Sequence, residues 1–451
     1  MRSAVPDYLN EALAEVEPDH SGATADYIPE LADADPDRLA AVFATVDGEV
    51  YGAGDIDAEF TIQSISKPFV YAMALADRGF EAVLAKVGVE PSGEAFNELS
   101  LEGDTGRPRN PMINAGAITT HSLAGAEGLT PDERMERIVS GLSAFAGRKL
   151  SVDESVFESE MATAHRNLAI AYMLRSYGVL TCDPHEVVEG YIRQCSVLVS
   201  TRDLAMMAAT LANGGVHPLT GERVVDRAVL RQALSVMSTC GMYDAAGDWA
   251  TQVGIPAKSG VAGGIIGALP GQLGIATFSP RLDAHGNSVR GISLFERFSS
   301  DMGLHLMEVP PAARAVVRSH RVYGSGADAV RVLRLQGGIR FSGGEQIMRE
   351  LTRSGPTEPR VVLDLSLVSS IDDVGRRMLL ETARRLCIEG HDVILVDPDV
   401  ILPDPEPGDG GRLTVVDGLD RVVTGGGATG SDINTGRDTD TDRDSEGTRP
   451  R

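Results

Sequence analysis

Ser64 and Lys67 stand three residues apart in FTIQSISKPFVYAMALADRGF, where a strand-like FTIQ gives way to a helix with an apolar face through Phe69, Tyr71, Ala72 and Leu75. That spacing puts both side chains on one helix face, so the lysine amine reaches the serine hydroxyl when both point into a cleft. A neutral amine there accepts the serine proton, and amides at the helix start favour the negative charge that develops on an attacked carbonyl. Pro68 is tolerated because first-turn amides lack intrahelical partners. As a bare motif, Ser-x-x-Lys in a soluble protein is more often a capping serine followed by a surface lysine.

A second motif, Lys258-Ser259-Gly260 in IPAKSGVAGGIIGALPG, has the K-[ST]-G form that accompanies SxxK in serine β-lactamases and penicillin-binding proteins. Its blander reading is a strand end followed by a glycine-rich turn. Composition weighs against coincidence. Of 41 basic residues only Lys67, Lys86, Lys149 and Lys258 are lysines, and the two motifs hold two of these four. For Lys67 to act as a base it must lose its proton near neutral pH, and partial burial together with the positive Lys258 is expected to lower its pKa. Glycines after Lys258 let the backbone approach a ligand, so an amide around Val261 is expected to pair with that of Ser64 as an oxyanion hole.

The elements that must bring these motifs together begin before Ser64. VFATVDGEVYGAG reads as a hairpin around Asp47-Gly48, and GQLGIATFSPRLDAHGNSVRGISLFERFS as a strand-like return with two apolar runs flanking a turn at His285-Gly286-Asn287. Early and late strands with helices between them predict a mixed α/β domain over residues 1–307 whose terminal segments share one antiparallel sheet. Residues 308–327, EVPPAARAVVRSHRVYGSGA, read as a linker because of Pro310, Pro311 and a Gly-Ser-Gly. Over 328–424 the pattern is strand (VRVLRLQGG), helix (GGEQIMRELTRS), strand (RVVLDLSLV), helix (DDVGRRMLLETARRLCIEG), strand (HDVILVD), a small βαβαβ unit. The tail over 425–451 lacks periodic hydrophobes and is expected to be disordered.

Bulk properties narrow the partners. A formal charge of −24 repels phosphates, which excludes nucleic acid or an anionic membrane as the main partner and points to a small ligand. Cys182, Cys195, Cys240 and Cys387 show no CxxC spacing and read as reduced thiols. The acidic N-terminal segment has no apolar signal core, and no stretch supplies the roughly 20 apolar residues of a membrane span, so a cytoplasmic protein is expected. The nine histidines form no HExxH-like cluster and no GxxxxGK[ST] occurs, so neither a metal nor a nucleotide cofactor is expected.

Beyond the two short motifs, YIPEL, QSISKPF, GRPRNPMINAGAI, ESEMATAHRN, GYIRQCS, CGMYDAAGDWA and PAKSGVAGGI closely resemble, in order, segments of the serine-dependent β-lactamase-like glutaminase family, over residues 20 to 307. The resemblance implies a β-lactamase/penicillin-binding-protein-like catalytic domain, an antiparallel sheet plus a helical subdomain. It implies hydrolysis of L-glutamine to L-glutamate and ammonia through a glutamyl ester on Ser64, with Lys67 as general base. Tyr191 and Tyr243 match tyrosines that line the cleft, Tyr243 being the preferred proton relay to the leaving ammonia, and Lys258 completes the catalytic set. Tyr27, Asn114, Glu160 and Asn167 fall in the substrate pocket, with Glu160 pairing the α-ammonium. A homo-oligomer, dimer or tetramer, is implied as well. On the residues alone, Glu160 and Asn167 would share a solvated helix face, Asn114 would cap a helix, and the tyrosines would be core packing.

The βαβαβ unit resembles a STAS domain through VVLDLSLVSSIDDVG followed by a helix. Phosphorylated members carry a serine before that glycine; here Val374 stands there after Asp372 and Asp373, so an acidic helix cap is the simpler expectation. A regulatory or assembly role, with a protein partner, is implied only by the appended unit. Two rivals share these features. A cytoplasmic β-lactamase or D,D-peptidase would use SxxK and KSG equally well, but no SDN or YxN triplet appears at a plausible intermediate position between them, Tyr191-Ile192-Arg193 ending in Arg. A STAS-linked ligand sensor would need a degenerate cleft, and Ser64, Lys67, Tyr243 and Lys258 are intact.

Overall fold

In the computed structural model, which describes residues 3–93, 100–308, 316–423 and 431–432, the chain forms two compact units that divide after Glu308. In the first unit, strands from its two ends meet in one antiparallel sheet. β1 (Ala40–Thr45) and β2 (Val50–Gly54) form the hairpin through Asp47-Gly48, and β3 (Phe60–Thr61) pairs with β4 (Leu198–Val199) in a separate two-stranded ladder. The later strands are β5 (Ala257–Ser259), β6 (Gly264–Leu269) and β7 (Leu273–Phe278), and the order across the main sheet is β2-β1-β7-β6-β5. Val42 faces Ala276, Ala276 faces Ile266, and Ile266 faces Lys258, so register carries the KSG motif to an edge strand.

Both faces of this sheet are covered, which is why β6 and β7 are buried throughout. Strand alternation divides the side chains between two cores. Phe43, Ile265 and Ile275 pack with Leu9, Trp249, Phe295 and Phe298, supplied by helices Val5–Val16, Ala246–Gln252 and Val289–Met302. Val42, Ile266 and Ala276 face the other way, onto helix Thr201–Ala212 and a helical body. At the centre of that body lies helix Ser66–Arg78, buried at every position from Ser66 to Leu75. A helix enclosed all round has no solvent face on which to place polar groups, so the lysine it carries enters the core with it.

The second unit is a six-stranded sheet. β9 (Val330–Ile339), β10 (Arg360–Ile371), β11 (Asp392–Val396) and β12 (Leu413–Val416) run parallel, and β8 (Val317–Tyr323) pairs antiparallel with β9. Helices Phe341–Ser354 and Asp373–Ile388 provide the crossovers that parallel neighbours require. Ile347, Leu351, Leu379 and Leu386 from these helices bury Leu333, Leu335, Leu363 and Leu395 of the sheet. Asp372 caps the second helix, accepting from the Gly375 amide at 2.7 Å, as the acidic-cap reading of Asp372-Asp373-Val374 anticipates.

Two sequence expectations are corrected, and a third falls largely outside the described residues. The segment read as a linker is a strand from Val317 to Tyr323, whose β-branched residues pair with β9; residues 309–315 of that segment lie outside the described residues. The second apolar run of the late strand-like return is helix Val289–Met302, started by Ser288, whose hydroxyl accepts from the Gly291 amide at 3.2 Å. The tail expected to be disordered lies outside the described residues except for Ser431–Asp432, which pair with β8 as β13. Among the described residues no helix is long and apolar enough to cross a membrane, and the four cysteines are free.

Phe295 ties the sheet to its outer helices, fully buried with its ring 5.2 Å from that of Trp249. Phe295→Ala is expected to cost about 3–5 kcal/mol of unfolding free energy, measured by denaturant titration of the first unit's transition.

Candidate active site

Ser64 does not open the long helix. It sits half-buried in a 3-10 turn, Gln63–Ile65, that joins β3 to helix Ser66–Arg78. Gln63, immediately before it, has φ 50°, a left-handed conformation that costs a non-glycine residue roughly 1–2 kcal/mol. Tyr243 starts a second 3-10 turn, Tyr243–Ala245, with φ 55°. Two such residues facing one cleft mark a place where the surrounding structure holds strained backbone. Gly241 helps bring Tyr243 in, since a Cβ there would collide with the Ala257 carbonyl oxygen on β5.

The Tyr243 hydroxyl accepts from Lys258 Nζ at 2.7 Å, and the same phenol is close enough to Ser64 for that hydroxyl to act on it. Lys258 also donates to the Ser259 carbonyl at 2.7 Å, which fixes the amine over the cleft. Burial raises the Tyr243 phenol above its ordinary pKa, an effect only partly offset by the Ser64 hydroxyl, so the phenol keeps its proton. One turn after Ser64, Lys67 Nζ donates to Asn114 Oδ1 at 2.8 Å and lies 5.5 Å from the Tyr243 ring centroid. Asn114 in turn donates to Asn167 Oδ1 at 3.0 Å, and the Tyr191 hydroxyl is 3.4 Å from Asn114 Oδ1.

Lys67 is buried completely, not partly, and burial alone lowers its pKa to about 7. The expected push from Lys258 is felt in the opposite direction: burial first, then the charge of Lys67, hold Lys258 well below the ordinary lysine range. The other side of the cleft carries the acid. Glu160 Oε1 accepts from the Tyr27 hydroxyl at 2.8 Å and from Gln63 Nε2 at 3.2 Å. Burial raises the Glu160 pKa, and these two donors hold it down in part. Tyr27 is 45% exposed, so this end of the cleft meets solvent.

Glu160 and Asn167 do not share a helix face. Glu160 ends one helix, Glu154–Ala162, and Asn167 begins another, His165–Ser176, with the chain turning between them. Val261, half-buried, lies in the turn from β5 to β6, and a Cβ on the preceding Gly260 would be only 3.1 Å from the Ile62 carbonyl oxygen and 3.4 Å from the Gln63 Cβ. The KSG turn therefore packs on the segment that holds Ser64. The cleft thus gathers Tyr27, Ser64, Lys67, Asn114, Glu160, Asn167, Tyr191, Tyr243, Lys258 and Val261. Gln63 was not anticipated; its adjacency to Ser64 was the one signal in the residues. Cys195, one helical turn beyond Tyr191, reads from sequence only as a core thiol, and burial pushes it up to about 12.

A family profile described as Glutaminase matches residues 22–307, and one described as STAS domain matches residues 325–402. The chain belongs to the glutaminase family. A glutaminase of Corynebacterium efficiens is 51% identical over 413 residues, covering 92% of this chain and 97% of the relative, and one of Corynebacterium glutamicum is 52% identical over 400 residues, covering 89% and 96%. Among solved structures, the crystal structure of Mglu is 53% identical with a TM-score of 0.83, covering 89% of this chain and 100% of that chain. Mglu in its glutamate form is 49% identical with a TM-score of 0.82, with the same coverage. This glutaminase accordingly couples a mixed α/β unit to a small STAS unit, and the paired lysines, tyrosines and asparagines lie in the former.

For this glutaminase the Lys67 environment sets a pH dependence. Its folded pKa of about 7 lies below the ordinary 10.5, so the amine is neutral above about 7 and protonated below. Activity that needs the neutral amine falls roughly tenfold for each step of one in pH below that midpoint, which a pH profile of kcat/KM measures. The unfolded chain binds the extra proton between the two values, so this residue costs stability below about pH 10 and the cost shrinks as pH rises through the window. Lys67→Met should therefore abolish turnover while stabilising the fold at pH 7, since each tenfold loss of proton affinity on folding is worth about 1.4 kcal/mol. Thermal denaturation reads the gain.

Proposed function

We propose that Ser64 is the nucleophile with which this enzyme hydrolyses L-glutamine to L-glutamate and ammonia. The observation that carries the reading is the Lys258–Tyr243 hydrogen bond, with its phenol against Ser64, beside a buried Lys67. Neutral Lys67 takes the Ser64 proton as the oxygen attacks the side-chain amide carbon. The resulting oxyanion is held by the backbone amides of Ser64 and Val261. As the C–N bond breaks, Tyr243, kept protonated by burial, gives its proton to the leaving ammonia and is reprotonated through the cleft's amines. Water then attacks the glutamyl ester, Lys67 takes its proton and hands it to the Ser64 oxygen as the ester C–O bond breaks, and glutamate leaves with Ser64 and neutral Lys67 restored.

Recognition divides by charge. Glu160 pairs the α-ammonium, while Tyr27, Asn114, Asn167 and Tyr191 bind the polar ends of the substrate. The glutamate form of Mglu, a close relative, supports a pocket that takes this amino acid. The antiparallel sheet with KSG on its edge strand and SxxK entering a central helix supports a β-lactamase/penicillin-binding-protein type of fold for the catalytic unit. The acidic composition and reduced cysteines favour a cytoplasmic location, and the family resemblance favours a dimer or tetramer. The STAS-like unit acts in regulation or assembly, through a protein partner or a second copy.

Ammonia release from L-glutamine tests the chemistry, with L-asparagine and a chromogenic cephalosporin in parallel. Ser64→Ala should lose at least about 10³-fold in kcat, and Tyr243→Phe about 10²-fold with KM little changed. Cephalosporin turnover without glutamine turnover, or full activity in Ser64→Ala, would overturn the assignment. Because β8 belongs to the second unit, a truncation that tests the STAS role falls at Val309. It should change the kinetics or the subunit count by sedimentation, and no change in either would remove that role.

A further inference from the structure

Gln63 touches both halves of the cleft. Its backbone leads into Ser64, and its side chain donates to Glu160 Oε1 at 3.2 Å and to Thr61 Oγ1 at 3.1 Å. Tyr27 donates to the same carboxylate oxygen, so both bonds fall on Oε1 and neither on Oε2. The residue just before Ser64, Gln63, has a left-handed φ of 50°, for which glutamine has no intrinsic preference. Something must hold it there.

The hold is a buried chain of neutral hydrogen bonds. Ser66 Oγ donates to the Gln63 carbonyl at 2.8 Å, so that oxygen can only accept from Gln194 Nε2, 2.9 Å away. Gln194 Oε1 then accepts, which requires the hydrogen of His121, 2.9 Å away, to sit on Nδ1. Burial holds the His121 pKa down to about 4, so the ring is neutral. Ser66 and Gln194 are fully buried and His121 is 2% exposed. Gly190 leaves the space, since a Cβ there would collide with Nε2 of the same ring. Every dipole in the relay points toward one carbonyl, and each bond polarises the next.

We propose that Gln63 is a positioning residue that links the aim of the nucleophile to recognition of the substrate ammonium, and that His121, Gln194 and Ser66 form the brace that holds its backbone. This rests on the roles of Ser64 and Glu160 given above. The brace acts on kcat, because it sets the path of Ser64; the side chain acts on KM, because it orients Glu160.

A double-mutant cycle separates this from ordinary structural support. Gln194→Leu in the full-length enzyme should lower kcat about tenfold with KM within about twofold. Gln63→Gly, whose backbone adopts the left-handed conformation without a brace, should raise KM for L-glutamine about tenfold. It should leave KM unmoved for 4-carbamoylbutanoate, which lacks the ammonium. In the Gln63→Gly background, Gln194→Leu should have little further effect on kcat. Equal losses in both backgrounds would overturn the brace, and an unchanged KM for glutamine in Gln63→Gly would overturn the link to Glu160. If Gln194→Leu yields too little folded protein by circular dichroism, Ser66→Ala breaks the next bond with the same expectations, and Ser66→Thr, which keeps the hydroxyl, should restore kcat. Glu160→Gln is the control for the underlying roles: if it leaves the glutamine KM unchanged, the ammonium reading fails, whereas a raised KM with an additive cycle sinks only the brace.

Discussion

Taking Lys67 and Lys258 out of water within one cleft sets the terms for everything around them. Two ammonium groups so placed cannot both stay charged, and desolvation already favours the neutral amine at each. The partners are chosen to match. Lys67 is received by an amide oxygen and Lys258 by a phenol and a backbone carbonyl, all of them neutral. A carboxylate in any of these places would have pulled the lysine pKa back up and kept the amine charged. The acid of the cleft, Glu160, is instead held at the opposite side by Tyr27 and Gln63.

That constraint explains the fold's unusual centre. A helix buried over its whole circumference is the element best able to carry a lysine away from solvent, and the fully covered sheet provides the wall from which the second lysine projects. Neither lysine contributes to stability in its working state. The aliphatic and aromatic packing of Leu9, Trp249, Phe295 and Phe298 on one sheet face, and of the helical body on the other, offsets them.

Much of this was legible in the residues. The Asp47-Gly48 hairpin, the βαβαβ order, SxxK and KSG each announce themselves through local chemistry, and the scarcity of lysine sharpened the last two. What escaped did so for physical reasons. In Val289–Met302 the apolar Ile292, Leu294, Phe295 and Phe298 form a short run that fits a strand as well as a helix, and only Ser288 signals a cap. Pro310 and Pro311 drew attention from the short strand Val317–Tyr323, whose polar VRSHRVY sequence gives little local signal and whose stability comes from pairing with β9. The break between Glu160 and Asn167 has no proline or glycine to mark it. The positive φ of Gln63 is imposed by residues distant in sequence, His121 and Gln194 among them, so no window around Ser64 contains its cause.

The distribution of primary amines has a practical consequence for handling this enzyme. Of its four lysine side chains, two are sealed in the cleft, Lys149 is exposed, and Lys86 is half-buried with its amine on the Gly178 carbonyl at 2.8 Å. Acylating reagents and aldehyde-activated supports act on accessible neutral amines, so among lysines they are steered to one or two places on the catalytic unit. Attachment through these points would narrow the orientations taken on a surface and spare the two amines sealed in the cleft.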